Sequence, residues 1–153
     1  MSHLDYSNSL LYGVSSDLLD RLQKVQNAAA RVVLNIRKYD HITQGLRALH
    51  WLPIRSRIIF KLAVITFKVL RTEQPQYLRD LLIEHDQKRT LRSNSRYLLK
   101  VPNSNLKSAG DRSFAVAAPK IWNSIPDPIK NVRSDRVFRR GLKTHLFKLA
   151  YKL

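Results

Sequence analysis

The chain contains no cysteine, which excludes disulfides, thiolate zinc sites and thiol catalysis together and leaves the fold to rest on packing. Glycine is nearly as scarce, at positions 13, 45, 110 and 141 only, so neither a GxGxxG turn nor a Walker A loop can be assembled to cradle phosphate. Acids are few: 11 Asp and Glu stand against 28 Lys and Arg, a formal charge of +17. No Asp-Asp or Glu-Glu pair occurs, whereas two-metal polymerases and nucleases hold their ions about 4 Å apart between clustered carboxylates. Asp17 and Asp20 are better used at a helix N-terminus. His3, His41, His50, His85 and His145 follow no HExxH or other ligand spacing, and no GxSxG elbow is present. The sequence therefore predicts no catalytic residues, no metal ligands, no cofactor and no small-molecule substrate.

Long apolar runs are missing too. The most apolar stretch, residues 58–70, is interrupted by Lys61 and Lys68 and falls short of the roughly 20 residues that span a bilayer. Residues 1–10 hold no basic cluster followed by an apolar segment, as a secretory signal would. The expectation is an intracellular chain, nuclear or cytoplasmic, without a membrane partner. What is present is enough apolar residue, 44% of 153, to build one ordinary domain or two small ones, which a disordered basic tail does not have.

Periodicity reads as helix nearly throughout. Ser15 or Ser16 caps a first helix in which Leu18, Leu22, Val25, Ala29, Val32, Val33 and Ile36 recur as an apolar stripe. A short helix is predicted over residues 43–49, with His50 and Trp51 in a packed corner. Pro53 then suits the first turn of a third helix to about Arg71, apolar almost all round and therefore central. Pro75 opens a further short helix. Residues 97–102 read as a short strand, Pro119 as the start of a helix through Ile125, and Ser134 with Asp135 as the cap of a last helix. In that helix Phe138, Leu142, Leu146 and Leu149 line one side. A soft boundary near residue 85 divides a helical bundle, 1–84, from a smaller helical region with one or two short strands, 85–153.

The cations gather on shared faces. Residues 1–50 hold 6 basic and 4 acidic groups, 51–100 hold 11 and 4, and 101–153 hold 11 and 3. Lys24, Arg31 and Lys38 recur every seven residues. Arg57, Lys61 and Lys68 follow at four and seven, Lys88, Arg89 and Arg92 fall in one polar segment, and Arg136, Arg139, Arg140 and Lys143 oppose the apolar side of the last helix. Cations so arranged neutralise phosphates and release counterions, so RNA and DNA backbone is the predicted partner. Trp51, Trp122 and Phe114 have the shape to stack on bases, though core packing is the commoner use of such residues.

Several strings add a family resemblance. Leu4-Asp5-Tyr6-Ser7-Asn8-Ser9-Leu10-Leu11-Tyr12-Gly13 and Leu22-Gln23-Lys24-Val25-Gln26-Asn27-Ala28-Ala29-Ala30-Arg31 come first. Asp40-His41-Ile42-Thr43, Leu49-His50-Trp51-Leu52-Pro53, Arg89-Thr90-Leu91-Arg92-Ser93 and Gly110-Asp111-Arg112-Ser113-Phe114 follow. The last are Ala117-Ala118-Pro119-Lys120-Ile121-Trp122-Asn123-Ser124-Ile125-Pro126 and Phe138-Arg139-Arg140-Gly141-Leu142-Lys143-Thr144-His145-Leu146-Phe147. In this order they resemble the region after the polymerase core of non-LTR (LINE-type) retrotransposon reverse transcriptases of the chicken-repeat and jockey-like kind; Ser7 stands where the family commonly has Cys.

The resemblance implies a thumb-like helical bundle and a C-terminal region that holds template-primer or element RNA, beginning part-way through the thumb. It implies no catalytic residue here, because the Ala-Asp-Asp-type palm motif is not in this sequence. The predicted function is a non-catalytic C-terminal part of an RNA-directed DNA polymerase. The alternative is a helical scaffold that docks on an acidic protein or on the missing polymerase core, which calls for an exposed apolar patch.

Overall fold

The computed structural model describes residues 6–85, 98–103 and 110–153. After a 3-10 turn at Asn8–Leu11, seven helices follow among the described residues: α1 (Ser16–Leu34), α2 (Ile42–Ala48), α3 (Ile54–Thr72), α4 (Gln76–Arg79), α5 (Phe114–Ser124), α6 (Asp127–Lys130) and α7 (Asp135–Tyr151). The chain is thus mainly α. It divides into two compact units, residues 1–60 with 143–153 and residues 61–142, so that α3 and α7 each contribute to both.

In the first unit α1 begins behind Ser15 with Asp17 in its first turn and stops at Asn35, which takes the left-handed conformation at φ 52. Asparagine tolerates that conformation, and the Ile36 N–H closes the end by donating to Arg31 O at 3.0 Å. α2 packs against α1, with buried Gly45 lying where any Cβ would meet the Ile36 and Leu34 side chains.

The face that α1 buries differs from its apolar stripe. Leu19, Gln26 and Ala30 are buried, while Leu18, Val25, Val32 and Val33 are exposed. Side-chain amides explain the difference. Gln26 Nε2 donates to Leu52 O at 2.8 Å, Gln23 Nε2 donates to Gln26 Oε1 at 3.0 Å and to Asn27 Oδ1 at 2.9 Å, and Gln23 Oε1 accepts the Ile54 N–H at 2.9 Å. That last bond satisfies a donor at the start of α3 which has no partner within its own helix. Buried polar groups demand partners, and this network turns Gln26 inward and one edge of the apolar arc outward.

The expected corner forms around α7. The His50 ring stacks on Phe147 at 5.8 Å, and the Tyr151 hydroxyl donates to Trp51 O at 2.6 Å. Burial raises the Tyr151 hydroxyl above the ordinary tyrosine range, with the Arg47 guanidinium pulling the other way. A raised pKa means that the fold prefers the neutral phenol, so its contribution is complete below about pH 10 and lost as pH climbs through the raised value. Tyr151→Phe is expected to cost about 1 kcal/mol near neutrality and to flatten the alkaline limb of a stability–pH curve measured by denaturant melts.

The core of the second unit is aromatic. Phe67 of α3 stacks on Phe138 of α7 at 4.1 Å and 9°, and Trp122 of α5 lies 6.5 Å from the first ring and 6.0 Å from the second. All three are buried, as are Leu142 and much of α5. Leu149, expected on the same side as Phe138 and Leu142, is exposed.

Two further expectations are corrected here. Pro119 does not open α5 but lies inside it. Ser113 and the apolar run 114–118 start the helix five residues earlier, and proline in the second turn forfeits only one backbone bond. The strand over residues 97–102 is, among the described residues, a single antiparallel bridge between Glu84 and Leu99. Asn123 explains why no second strand is needed: its side-chain amide accepts the Leu99 N–H at 2.9 Å and donates to Leu99 O at 2.8 Å, standing in for a strand's backbone.

Candidate nucleic-acid interface

Helical spacing predicts which cations share a face, and the structure keeps some of those lines and breaks others. On α3, Lys61 and Lys68 are exposed and seven residues apart, while Arg57 is half-buried and engaged in an interaction of its own. On α7, Arg136, Arg140 and Lys143 are exposed at spacings of four and three, which places them along one side of the helix. Arg139 is half-buried and its Nε donates to Asp135 Oδ2 at 2.7 Å, so a neighbouring acid compensates its charge.

The line Lys24, Arg31, Lys38 is not continuous. Lys24 is exposed, but α1 has ended before Lys38. The half-buried Arg31 donates to Arg37 O and, at 2.8 Å, to Asp40 O. A guanidinium with five donors can close such a turn, and Arg31 works on its own backbone. Lys88, Arg89 and Arg92 lie outside the described residues.

Residues that spacing did not single out complete the arrangement in the second unit. Arg71, one turn beyond Lys68, crosses the Phe67 ring with its guanidinium carbon 5.5 Å from the centroid and donates through Nη2 to Val132 O at 2.5 Å. That bond ties the end of α3 to the segment leading into α7, where Arg133 and Arg136 are both exposed. The end of α3, which carries Lys68 and Arg71, is thus joined to the segment and first turn that carry Arg133 and Arg136.

Beside them a cavity of about 460 Å³ is lined by Phe67, Arg71, Glu84, Trp122, Lys130 and Arg133, with further lining from neighbouring residues. Lys130 has a side chain only 1% exposed, 2.9 Å from Asp127 Oδ1 and 6.0 Å from the Trp122 ring centroid. Its charge is held within the protein. Trp122 belongs to the core and is not a stacking platform; Trp51 and Phe114 are half-buried.

The acids of this unit are largely taken. Glu84 pairs with Arg79 at 2.9 Å, Asp111 with Lys120 at 3.1 Å, Asp127 with Lys130 and Asp135 with Arg139. Among the described residues no ion pair engages Lys61, Lys68, Arg71, Arg133 or Arg136. The four paired acids therefore leave the charge of these five exposed cations without an ion-pair partner. Among the described residues no group of three or more His, Asp or Glu is placed to hold a metal ion, and no helix is long and apolar enough to cross a membrane.

Comparison of the chain with protein-family profiles, with curated proteins and with solved structures finds no match.

Proposed function

We propose that the chain binds the phosphodiester backbone of RNA or DNA without catalysing a reaction on it, in the nucleus or cytoplasm. In keeping with the resemblance of its sequence strings, it serves as the thumb and post-thumb part of a non-LTR retrotransposon reverse transcriptase. The observation that carries the reading is the Arg71 bond to Val132, which joins the end of α3, with exposed Lys68 and Arg71, to the segment carrying exposed Arg133 and Arg136, while Glu84, Asp127 and Asp135 are already paired. Guanidinium and ammonium groups gathered on one surface neutralise successive phosphates, and each counterion so released steepens the dependence on salt.

The experiment is a binding titration of the whole chain with labelled single-stranded RNA and with duplex DNA at several salt concentrations. Lys68→Glu, Arg133→Glu and Arg136→Glu are combined, leaving the structural Arg71 in place. Affinity is expected to fall by at least about tenfold, and the log–log salt slope to shrink by about 2–3, one contact at 0.7–0.9 per residue. Unchanged affinity and slope would overturn the reading. A primer-extension assay with divalent metal is expected to show no synthesis by the chain alone.

A specific observation also favours the scaffold reading, in which the chain docks on an acidic partner or on a polymerase core. Leu18, Val25, Val32 and Val33 stand exposed on one helix, an apolar surface that phosphate binding does not use.

A further inference from the structure

The cavity of the second unit differs from the open helix faces, because its lining combines two guanidinium groups, Arg71 and Arg133, with the apolar side chains of Phe67, Leu70, Leu99 and Trp122. The other charges on its wall are met by neighbours. Lys130 pairs with Asp127 at 2.9 Å, and Glu84 pairs with Arg79 at 2.9 Å. Among the described residues neither Arg71 nor Arg133 has an ion-pair partner.

Arg71 is also held in place. Its Nη2 donates to Val132 O at 2.5 Å, and its guanidinium carbon lies 5.5 Å from the Phe67 ring centroid. Of the five N–H donors of a guanidinium, that bond uses one, and a fork fixed in advance loses less freedom when it meets an anion.

We infer that this cavity receives the phosphorylated end of a nucleic-acid strand, with a terminal phosphomonoester on Arg71 and Arg133 and the nucleoside that bears it against the apolar wall. The inference rests on the backbone-binding reading above and adds to it a preference for one kind of end. Charge selects this ligand first. A phosphomonoester carries about −1.5 to −2 near neutrality, which matches two guanidinium groups, whereas each phosphate inside a strand carries a single charge. Arginine forks also bond phosphate oxygens in pairs.

Shape selects it next. About 460 Å³ lies within the range of pockets that enclose a small ligand, while a strand interior continues in both directions and is served by open faces such as that of Lys61 and Lys68. The wall supplies the third reason. Inorganic phosphate would leave its apolar side chains unused, and a nucleoside covers them without stacking, since Phe67 and Trp122 stay packed in the core.

The test is a titration of the whole chain with one oligonucleotide sequence carrying an internal fluorophore, in three forms: 5′-phosphate, 3′-phosphate, and hydroxyl at both ends. One phosphorylated form is expected to bind at least about tenfold tighter than the hydroxyl form, the worth of one charge-assisted hydrogen bond. Adenosine monophosphate is expected to displace it at concentrations at least about tenfold below those needed of inorganic phosphate. Arg133→Gln, at an exposed site, is expected to erase most of the preference with the circular dichroism spectrum retained. Lys68→Gln, which is outside the cavity lining, is expected to weaken phosphorylated and hydroxyl strands by the same factor.

Equal affinity for the three strands overturns this inference and leaves the backbone-binding reading standing, whereas failure to bind any strand removes both. An Arg133→Gln chain that keeps the full preference also overturns it. So does inorganic phosphate that competes as well as the mononucleotide, because the apolar wall then contributes nothing. Adenosine monophosphate that binds as tightly as the phosphorylated strand assigns the cavity to free mononucleotides instead, and a phosphoserine peptide that competes equally assigns it to protein; either result overturns the strand-end assignment.

Discussion

Phe138→Ala is expected to destabilise the chain by about 3–5 kcal/mol, the range for emptying a fully buried aromatic site. Phe138 is 0% exposed and stacks face to face on Phe67 at 4.1 Å, with Trp122 at 6.0 Å. Truncation removes a ring that lies against both others, and helices α3, α5 and α7 lose a common filler. The pairwise aromatic contacts add about 0.5–1.5 kcal/mol beyond burial alone, so Phe138→Leu, which restores most of the volume but no ring, is expected to fall between wild type and alanine. Urea titration followed by tryptophan emission reads both. A cost below about 1 kcal/mol for the alanine variant would mean that the site collapses freely, and the aromatic cluster would not be the centre of its unit.

Much of that unit is legible in the sequence because its signals are local. The apolar circumference of residues 54–72 marks α3 as central, and Ile58, Leu62 and Val69 are indeed buried. Phe138 and Leu142, four apart, announce the buried side of α7 in the same way.

What periodicity does not contain is which edge of a broad apolar arc docks. In α1 that choice rests on Gln26, whose amide needs Leu52 O, a partner 26 residues away that no window sees. Pro119 misleads for the opposite reason: proline statistics favour the first turn of a helix, but the uninterrupted 114–118 run and Ser113 form a stronger start upstream. The expected strand shrinks to a single bridge: backbone bonds to residues 83 and 85 serve one edge, and the Asn123 side chain takes the Leu99 N–H and C=O on the other.

The candidate interface divides along the same line. Cations on one helix, such as Lys61 with Lys68 or Arg136 with Arg140 and Lys143, are predictable from spacing alone. Arg71 and Arg133 are not, because they meet only when α3 ends against the segment entering α7. Arg31 shows the converse. It has the right spacing for a phosphate-tracking line, but tertiary geometry spends its donors on the turn at residues 37–40. A cation read from sequence is a candidate for a ligand only after its internal acceptors have been counted.

Gln26→Leu is expected to lower stability by about 2–4 kcal/mol, a sign opposite to what helical amphipathicity suggests. On the pattern alone, leucine at position 26 widens the apolar stripe and improves the helix. In the structure the residue is completely buried, donates to Leu52 O and accepts from Gln23 Nε2. Leucine of similar size leaves the Leu52 carbonyl without its partner, at about 1–3 kcal/mol for a stranded buried group, and takes one of two acceptors from the half-buried Gln23 amide. Gln23→Ala should give a related loss by uncovering the Ile54 N–H. The two effects should be less than additive, because both substitutions dismantle one network. Denaturant midpoints of the two single variants and the double measure this coupling. Should Gln26→Leu prove neutral or stabilising, α1 must be rolled so that Leu18, Val25 and Val32 face inward.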